Sequence, residues 1–303
     1  MKLSYRSGFI SIMGRPNVGK STLLNRLLGQ KVAIVSDKPQ TTRNRILGVR
    51  HLPDGQMVFF DTPGIHQAKT KLNQRMVQAA LASLAEVDLA LILVDAVSGP
   101  WRRRDEIHLK DTLITEHLKK VKTPKILVIN KIDLVNKADL IPLLSYYGGE
   151  GLYSEVVPLS ALTGENVDLF LKTARAYLPV GDPFFPEDVV TDQPVRFLAA
   201  EFIREKAIQM TREEIPYAVA VRIDDFKEDA AKDISMIHAT LFVEKDSQKG
   251  ILIGRKGRML KEIGQAAREE LEALLGGKIF LELWVKVKRE WRKDDRFLKQ
   301  MGY

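Results

Sequence analysis

The 303-residue chain contains no cysteine. That absence excludes disulfides, cysteine-ligated zinc, iron–sulfur clusters and thiol catalysis, and it fits a reducing, cytoplasmic setting. Long hydrophobic runs are missing too, and none approaches the roughly 20 residues that a membrane-spanning helix needs. The opening MKLSYRSGFISI lacks the apolar stretch and small-residue cleavage site of a secretory signal, so no cleaved leader is expected. Aromatic residues are sparse, at 7%, and acidic residues are outnumbered 39 to 47 by lysine and arginine. What is present is 45% hydrophobic and 28% charged, an ordinary globular composition with chain enough for two domains. The net charge of +8 is polarised: +9 over residues 1–178, −7 over 179–248 and +6 over 249–303. Two basic regions flanking an acidic one suggest a large polyanion as partner.

Through the first half, short apolar strands alternate with helical stretches, at 8–13, 23–28, 58–61, 89–95, 106–118, 126–130, 156–159 and 167–178. That alternation predicts a doubly wound α/β domain with a mostly parallel sheet over residues 1–178. Four of the thirteen prolines fall within 179–194, which reads as a linker. The pattern of residues 195–303 predicts an α+β domain. It has a helix at 195–210, strands at 217–226 and 236–244, a glycine-bearing segment at 249–258, an amphipathic helix carrying Leu260, Ile263, Ala267, Leu271 and Leu274, a strand at 279–287 and a last helix from about Trp291.

Gly14, Arg15, Pro16, Asn17, Val18, Gly19, Lys20 and Ser21, followed by Thr22, fit G-x-x-x-x-G-K-[ST] between a predicted strand and a predicted helix. Such a loop turns backbone N–H groups toward phosphate, backs them with a helix N-terminus, and adds a lysine for the β/γ phosphates and a hydroxyl for Mg²⁺. Downstream, Asn130-Lys131-Ile132-Asp133 follows the apolar run KILVI. A carboxylate at Asp133 can accept from both N1–H and N2–H₂ of guanine, a pattern adenine does not offer, so GTP and GDP are the expected nucleotides. Ser160-Ala161 would bring backbone N–H groups to the base oxygen. Asp61-Thr62-Pro63-Gly64 ends the run MVFF and sets a carboxylate at the Mg²⁺ position. In the polar segment Gln40-Thr41-Thr42-Arg43, Thr42 is the threonine expected to complete the metal shell, ahead of Thr41.

These boxes, in this order, resemble the translation-factor-like GTPases, and the wording GRPNVGKS, QTTR and DTPGIH is similar to the Era family in particular. The resemblance implies two switch loops, around Thr42 and Gly64, ordered by the γ-phosphate. It also places isoleucine, Ile65, where Ras-like enzymes carry a water-orienting glutamine. A slow intrinsic GTPase is therefore expected, resting on Mg²⁺, Lys20 and backbone donors. By the same resemblance Asn17 stands where related potassium-stimulated GTPases hold K⁺.

Gly254-Arg255-Lys256-Gly257 is a G-x-x-G loop with an amphipathic helix behind it. Between Lys249 and Lys261 there are five basic residues and no acid: Lys249, Arg255, Lys256, Arg258 and Lys261. Gly148-Gly149-Glu150-Gly151 matches the same pattern but carries an acid and no following amphipathic helix, so it reads as a plain loop. The order helix, strand, strand, helix, GxxG, helix, strand, helix resembles a type II KH domain, whose loop clamps a single-stranded backbone. For the whole chain the resemblance implies small-subunit (16S) ribosomal RNA near its 3′ end as ligand, a role in 30S subunit assembly, and a share of the protein peripheral to the membrane. A KH scaffold that holds nucleotide without turnover, and another ribosome- or tRNA-associated GTPase, are the competing readings. Trp101-Arg102-Arg103-Arg104 reads as a solvated helix start, His66 as a loop residue, and Trp284 and Trp291 as packing residues.

Overall fold

A computed structural model of the chain describes residues 4–64, 70–97, 118, 119, 121–149, 151–229 and 234–303. Ile65, His66, Trp101, Arg102, Arg103, Arg104 and all but the end of the helix expected at 106–118 lie outside the described residues. The chain forms two compact units.

The first unit is built from Met1–Ala33, Thr42–Ala68 and Arg75–Asp192. Its sheet runs β2-β3-β1-β4-β5-β6, with β1 at Arg6–Gly14, β2 at Ile46–Leu52, β3 at Gly55–Asp61, β4 at Leu89–Asp95, β5 at Lys125–Asn130 and β6 at Glu155–Pro158. Every pairing is parallel except β2 with β3. The inner strands are apolar on both sides, and Ile10, Ile12, Val58, Phe59, Leu91 and Val128 are fully buried, as strands flanked by helices require. The helices are α1 (Lys20–Leu28), the part of α2 (Lys71–Ala82) from Arg75 onward, α3 (Lys137–Gly148) and α4 (Val167–Ala176). Ala80 of α2 and Leu143 of α3 share a core with Leu127 and Ile129 of β5. Loops that leave the carboxyl ends of β1, β3, β5 and β6 carry the phosphate, Mg²⁺ and base motifs, the position where open α/β sheets bind ligands.

Strand β2 was absent from the sequence pattern, because Gly48, Arg50 and His51 break its alternation. It makes the sheet's edge, and the proline-rich stretch lies along it. Val49 N donates to Val190 O at 2.8 Å, while buried Gln56 accepts from the N–H groups of Phe184 and Phe185 and donates to the Phe185 carbonyl. The segment read as a linker thus covers an otherwise open strand edge.

The second unit gathers Gln193–Tyr303 together with Ile34–Thr41 and Lys69–Gln74. Its elements are α5 (Val195–Met210), α6 (Ile215–Ala218), β7 (Ala220–Asp229), β8 (Ile234–Val243), α7 (Asp246–Ile253), α8 (Arg258–Leu275), β9 (Lys278–Val287) and α9 (Asp295–Gln300). The sheet runs β7-β8-β9, antiparallel then parallel. Ile237, Ala239 and Leu241 of β8 and Ile279 and Val285 of β9 face Phe202 and Ile203 of α5 and Ile263, Ala267 and Leu271 of α8 in one core. Period two on the strands and a three-to-four spacing on α8 build this face.

Helix α5 also buries charge. Arg204 is 0% exposed and donates to both carboxylate oxygens of Glu201, at 2.7 and 2.5 Å, and to the Thr41 carbonyl at 2.6 Å. Glu205 accepts from Val35 N at 2.7 Å. Removing one partner of such a pair leaves an uncompensated buried charge, so Arg204→Ala is expected to destabilise the second unit by about 3–5 kcal/mol. The urea transition of that unit measures it, and a loss below about 1 kcal/mol, the range of an exposed pair, would contradict the account.

Candidate functional site

The phosphate loop begins where β1 ends and closes at Gly19, the residue before α1. Gly19 has φ 98°, and a Cβ there would stand 2.3 Å from Asn130 Nδ2. Only glycine lets the loop and the Asn130 strand end approach this closely. Asn130 braces the two: its Nδ2 donates to Val18 O at 2.8 Å and its Oδ1 accepts from Ala161 N at 2.9 Å. The Ala161 N–H, expected at the base oxygen, is donated to Asn130, and the Ser160 N–H to Glu165 O at 3.0 Å. Arg26, which no motif signalled, holds the same loop by donating from Nε to Ala161 O at 3.1 Å and from a terminal nitrogen to Leu162 O. Its one sequence clue is its place in the last turn of the helix that the phosphate loop opens. Ser160 is buried and accepts from Thr163 N.

Lys20, on the first turn of α1, is buried, and its Nζ donates to the carbonyls of Gly14 (3.2 Å) and Arg15 (2.9 Å). Burial draws its pKa down to about 8, against the opposing pull of Asp61. Burial likewise pushes Asp61 up to about 6, opposed by Lys20 and by the Ser21 hydroxyl. Ser21 Oγ donates to Asp61 Oδ2 at 2.6 Å and lies 2.8 Å from Thr42 Oγ1. The three residues chosen from separate motifs as metal ligands therefore meet at one point. Asp61 Oδ1 is buried without a hydrogen-bond partner, an orphaned anionic oxygen beside two hydroxyls. That hard-oxygen set fits Mg²⁺. Gly64 lies against Pro16, and Thr62 Oγ1 donates to the β1 carbonyl of Ile12.

At the base end, Lys131 adopts φ 64° and donates to Asn17 O at 2.7 Å, laying its stem across the loop tip. Asp133 is exposed on the turn after β5. Asp133→Asn exchanges an acceptor for a donor. It is expected to weaken GTP by about 10- to 100-fold and to improve xanthosine triphosphate, whose C2 carbonyl accepts where guanine donates. Nucleotide competition measures both, and an unchanged preference for GTP would remove Asp133 from the site.

In the second unit, Gly254 and Gly257 flank a tight loop between α7 and α8, with φ of 72° and 78° and Lys256 at φ 53°. Arg255, Lys256, Arg258 and Lys261 are exposed and Lys249 is half-buried. Arg258 is paired with Glu262 at 2.8 Å. The loop opens on a groove of about 500 Å³ between α8 and the edge strand β9, lined by Gly257, Lys261, Gly264, Arg268 and the β9 segment from Ile279 to Leu283. Gly264, Gln265 and Arg268 continue the face of α8 that begins at Gly257 and Lys261, a three-to-four spacing visible in the sequence but followed there only to Lys261. The tryptophans divide. Trp291 is 0% exposed and donates to Ala218 O at 2.8 Å, as packing required, whereas Trp284 is 56% exposed.

A phosphate loop with a converged Ser–Thr–Asp metal set and an NKxD base box, followed in the chain by a glycine clamp beside a helix–strand groove, defines a GTPase joined to a KH domain. The comparisons agree. Residues 9–131 match the family model described as 50S ribosome-binding GTPase, and residues 214–292 match the KH domain model. GTPase Era of Geobacter metallireducens is 52% identical over 99% of this chain and 98% of its own length. That of Syntrophus aciditrophicus is 50% identical over 99% and 96%. The crystal structure of Era with MgGDPNP and nucleotides 1506–1542 of 16S ribosomal RNA is similar, with a TM-score of 0.93 at 45% identity over 99% of both chains. A single-residue variant of Aquifex aeolicus Era bound to GDP·AlF₄⁻ gives 0.92 at 45%, over 98% and 99%. The chain belongs to the Era family of GTPases.

Proposed function

We propose that this GTPase binds 16S ribosomal RNA near its 3′ end and acts in assembly of the 30S subunit, with the GTP/GDP cycle setting when the RNA is held. The groove beside the Gly254–Gly257 loop carries this reading. It offers close backbone approach, the N-terminus of α8 and a cluster of cations in one place, as a KH clamp requires. The related Era complex with nucleotides 1506–1542 supports the choice of RNA. Gly254, Arg255, Lys256, Gly257, Lys249, Arg258 and Lys261 are its proposed contacts, within a KH domain spanning 195–303 that follows a GTPase domain of 1–178 and a joining stretch of 179–194. A filter-binding series at several salt concentrations, using a single-stranded 16S 3′-end oligonucleotide and a scrambled control, tests it. The native sequence is expected to bind more tightly, with the log–log salt slope falling by about 0.7 per phosphate contact. Equal binding of both would contradict the reading.

In the nucleotide site, Gly14 to Thr22 and Gly64 are the proposed phosphate contacts, Asn130, Lys131 and Asp133 the base contacts with the Ser160–Ala161 loop beside them, and Ser21, Thr42 and Asp61 the Mg²⁺ ligands. Bound there, Mg²⁺ would neutralise charge on the β- and γ-phosphates. Asn17, at the loop tip with φ 65°, is proposed as a K⁺ ligand. Replacing KCl with NaCl should then slow turnover, and Asn17→Ala should erase the difference; equal rates of the unaltered protein in both salts would leave Mg²⁺ and Lys20 alone. The proposed location is cytoplasmic, with a share peripheral to the inner face of the membrane, supported by the net charge of +8. Among the described residues no helix is long and apolar enough to cross a membrane.

A further inference from the structure

A KH clamp holds about four nucleotides, so a longer single strand needs surface beyond the groove. The three-stranded sheet offers one. Its odd-numbered β8 and β9 residues enter the core, which turns Met236, His238, Thr240 and Phe242 of β8 and Phe280, Glu282, Trp284 and Lys286 of β9 to the opposite face. Phe242 is covered there by Phe297 of α9, with ring centroids 5.1 Å apart. The other end is open. Trp284 is 56% exposed, Phe280 52% and Met236 38%, and Phe280 pairs with Met236 across the sheet.

This patch is continuous with the clamp, because Phe280 and Glu282 also line the groove. Along β9, Trp284 stands about 13 Å beyond Phe280 on the same side. The charges of the face balance: Arg222 pairs with Asp224 at 2.7 Å and Lys227 with Asp225 at 2.7 Å, while Glu282 and Lys286 of β9 add one charge of each sign. A surface of exposed rings whose charges are mutually balanced suits the faces of unpaired bases rather than their phosphates. We infer that the outer face of the KH sheet is a second RNA subsite, on which bases leaving the groove past Phe280 stack, with Trp284 as the main platform.

The inference rests on the proposed RNA function, and the test separates the two. The full-length protein is titrated with a 16S 3′-end single strand of about three times the clamp's four-nucleotide length and with a four-nucleotide core that fills the groove alone. Trp284→Ala should weaken the long strand by about 5- to 100-fold, the range found for removal of one stacking ring. Binding of the four-nucleotide core and the salt slope should stay unchanged. Trp284→Phe should restore most of the loss, which a variant that merely damaged β9 would not show. If Trp284→Ala binds the long strand as the unaltered protein does, or weakens both strands equally, the second subsite is overturned while the clamp stands. If the unaltered protein binds neither strand, the RNA function itself fails.

Discussion

Lys20→Ala lowers kcat for GTP hydrolysis by at least about 10²–10³-fold, the effect of removing one preorganised charge partner from a transition state. Phosphoryl transfer leaves little covalent chemistry to the protein, so catalysis rests on positioning and on charge placed against the β- and γ-phosphates. Of the loop's two cations, Arg15 and Lys20, Lys20 is the buried one. It is rooted in the first turn of α1 and buried, with Nζ held by two loop carbonyls, Gly14 and Arg15. Those carbonyls are acceptors a phosphate oxygen can replace without moving the helix. Ile65, the residue after the DTPG box, supplies no group that orients water. Single-turnover phosphate release measures the effect, with GTP affinity measured alongside it. A fall of less than tenfold would place the stabilising charge elsewhere.

Gly254→Asp abolishes specific RNA binding, weakening it by more than about 100-fold, and leaves RNA-independent GTP hydrolysis intact. Two effects add. Gly254 sits at φ 72°, ψ 174°, a region that only glycine enters without strain, and a Cβ there would meet Met259 Cβ at 2.7 Å and its backbone N at 2.8 Å. The carboxylate then repels phosphate at the point where the backbone must come closest. Gly254→Ala separates the terms, since it keeps the strain and removes the charge. Arg255→Ala with Lys256→Ala should act more mildly, lowering affinity for all sequences alike, because cations position the strand while base edges specify it. Should Gly254→Asp bind RNA like the unaltered protein, the clamp lies elsewhere, with the basic first unit as the leading candidate.

Legibility in the sequence followed the range of the interactions. The phosphate loop, the Asp61 box and the G-x-x-G loop are each contiguous, and the structure brings Ser21, Thr42 and Asp61 to one point. Helix α5 was bounded by its periodicity at 195–210, as found. Residues whose role depends on distant partners were not legible. Arg26 acts through loop carbonyls 135 residues away, and the burial of Arg204 is set by the Thr41 carbonyl 163 residues away. Strand β2 was missed for a local reason: its Gly48, Arg50 and His51 hide the alternation, although the Pro53-Asp54-Gly55 turn behind it is a hairpin signal. Prolines make 179–194 read as a linker, but Val190 O accepts from Val49 N of the edge strand, and Phe184 and Phe185 bind the Gln56 side chain of β3. Trp284 and Trp291 look alike in sequence, but the pleat of β9 turns Trp284 outward, whereas Trp291, in the turn beyond the strand, is buried and donates to Ala218 O.

On the proposed function, the Gly254–Gly257 clamp joins this GTPase to the 3′ end of 16S RNA. Crosslinking the protein to RNA in cells and sequencing what is recovered, with Gly254→Asp in parallel, tests it most directly. Crosslinks concentrated near the 3′ end of 16S RNA are expected for the unaltered protein and lost in the variant. Crosslinks spread over unrelated RNAs, or an identical 3′-end signal from Gly254→Asp, would contradict it.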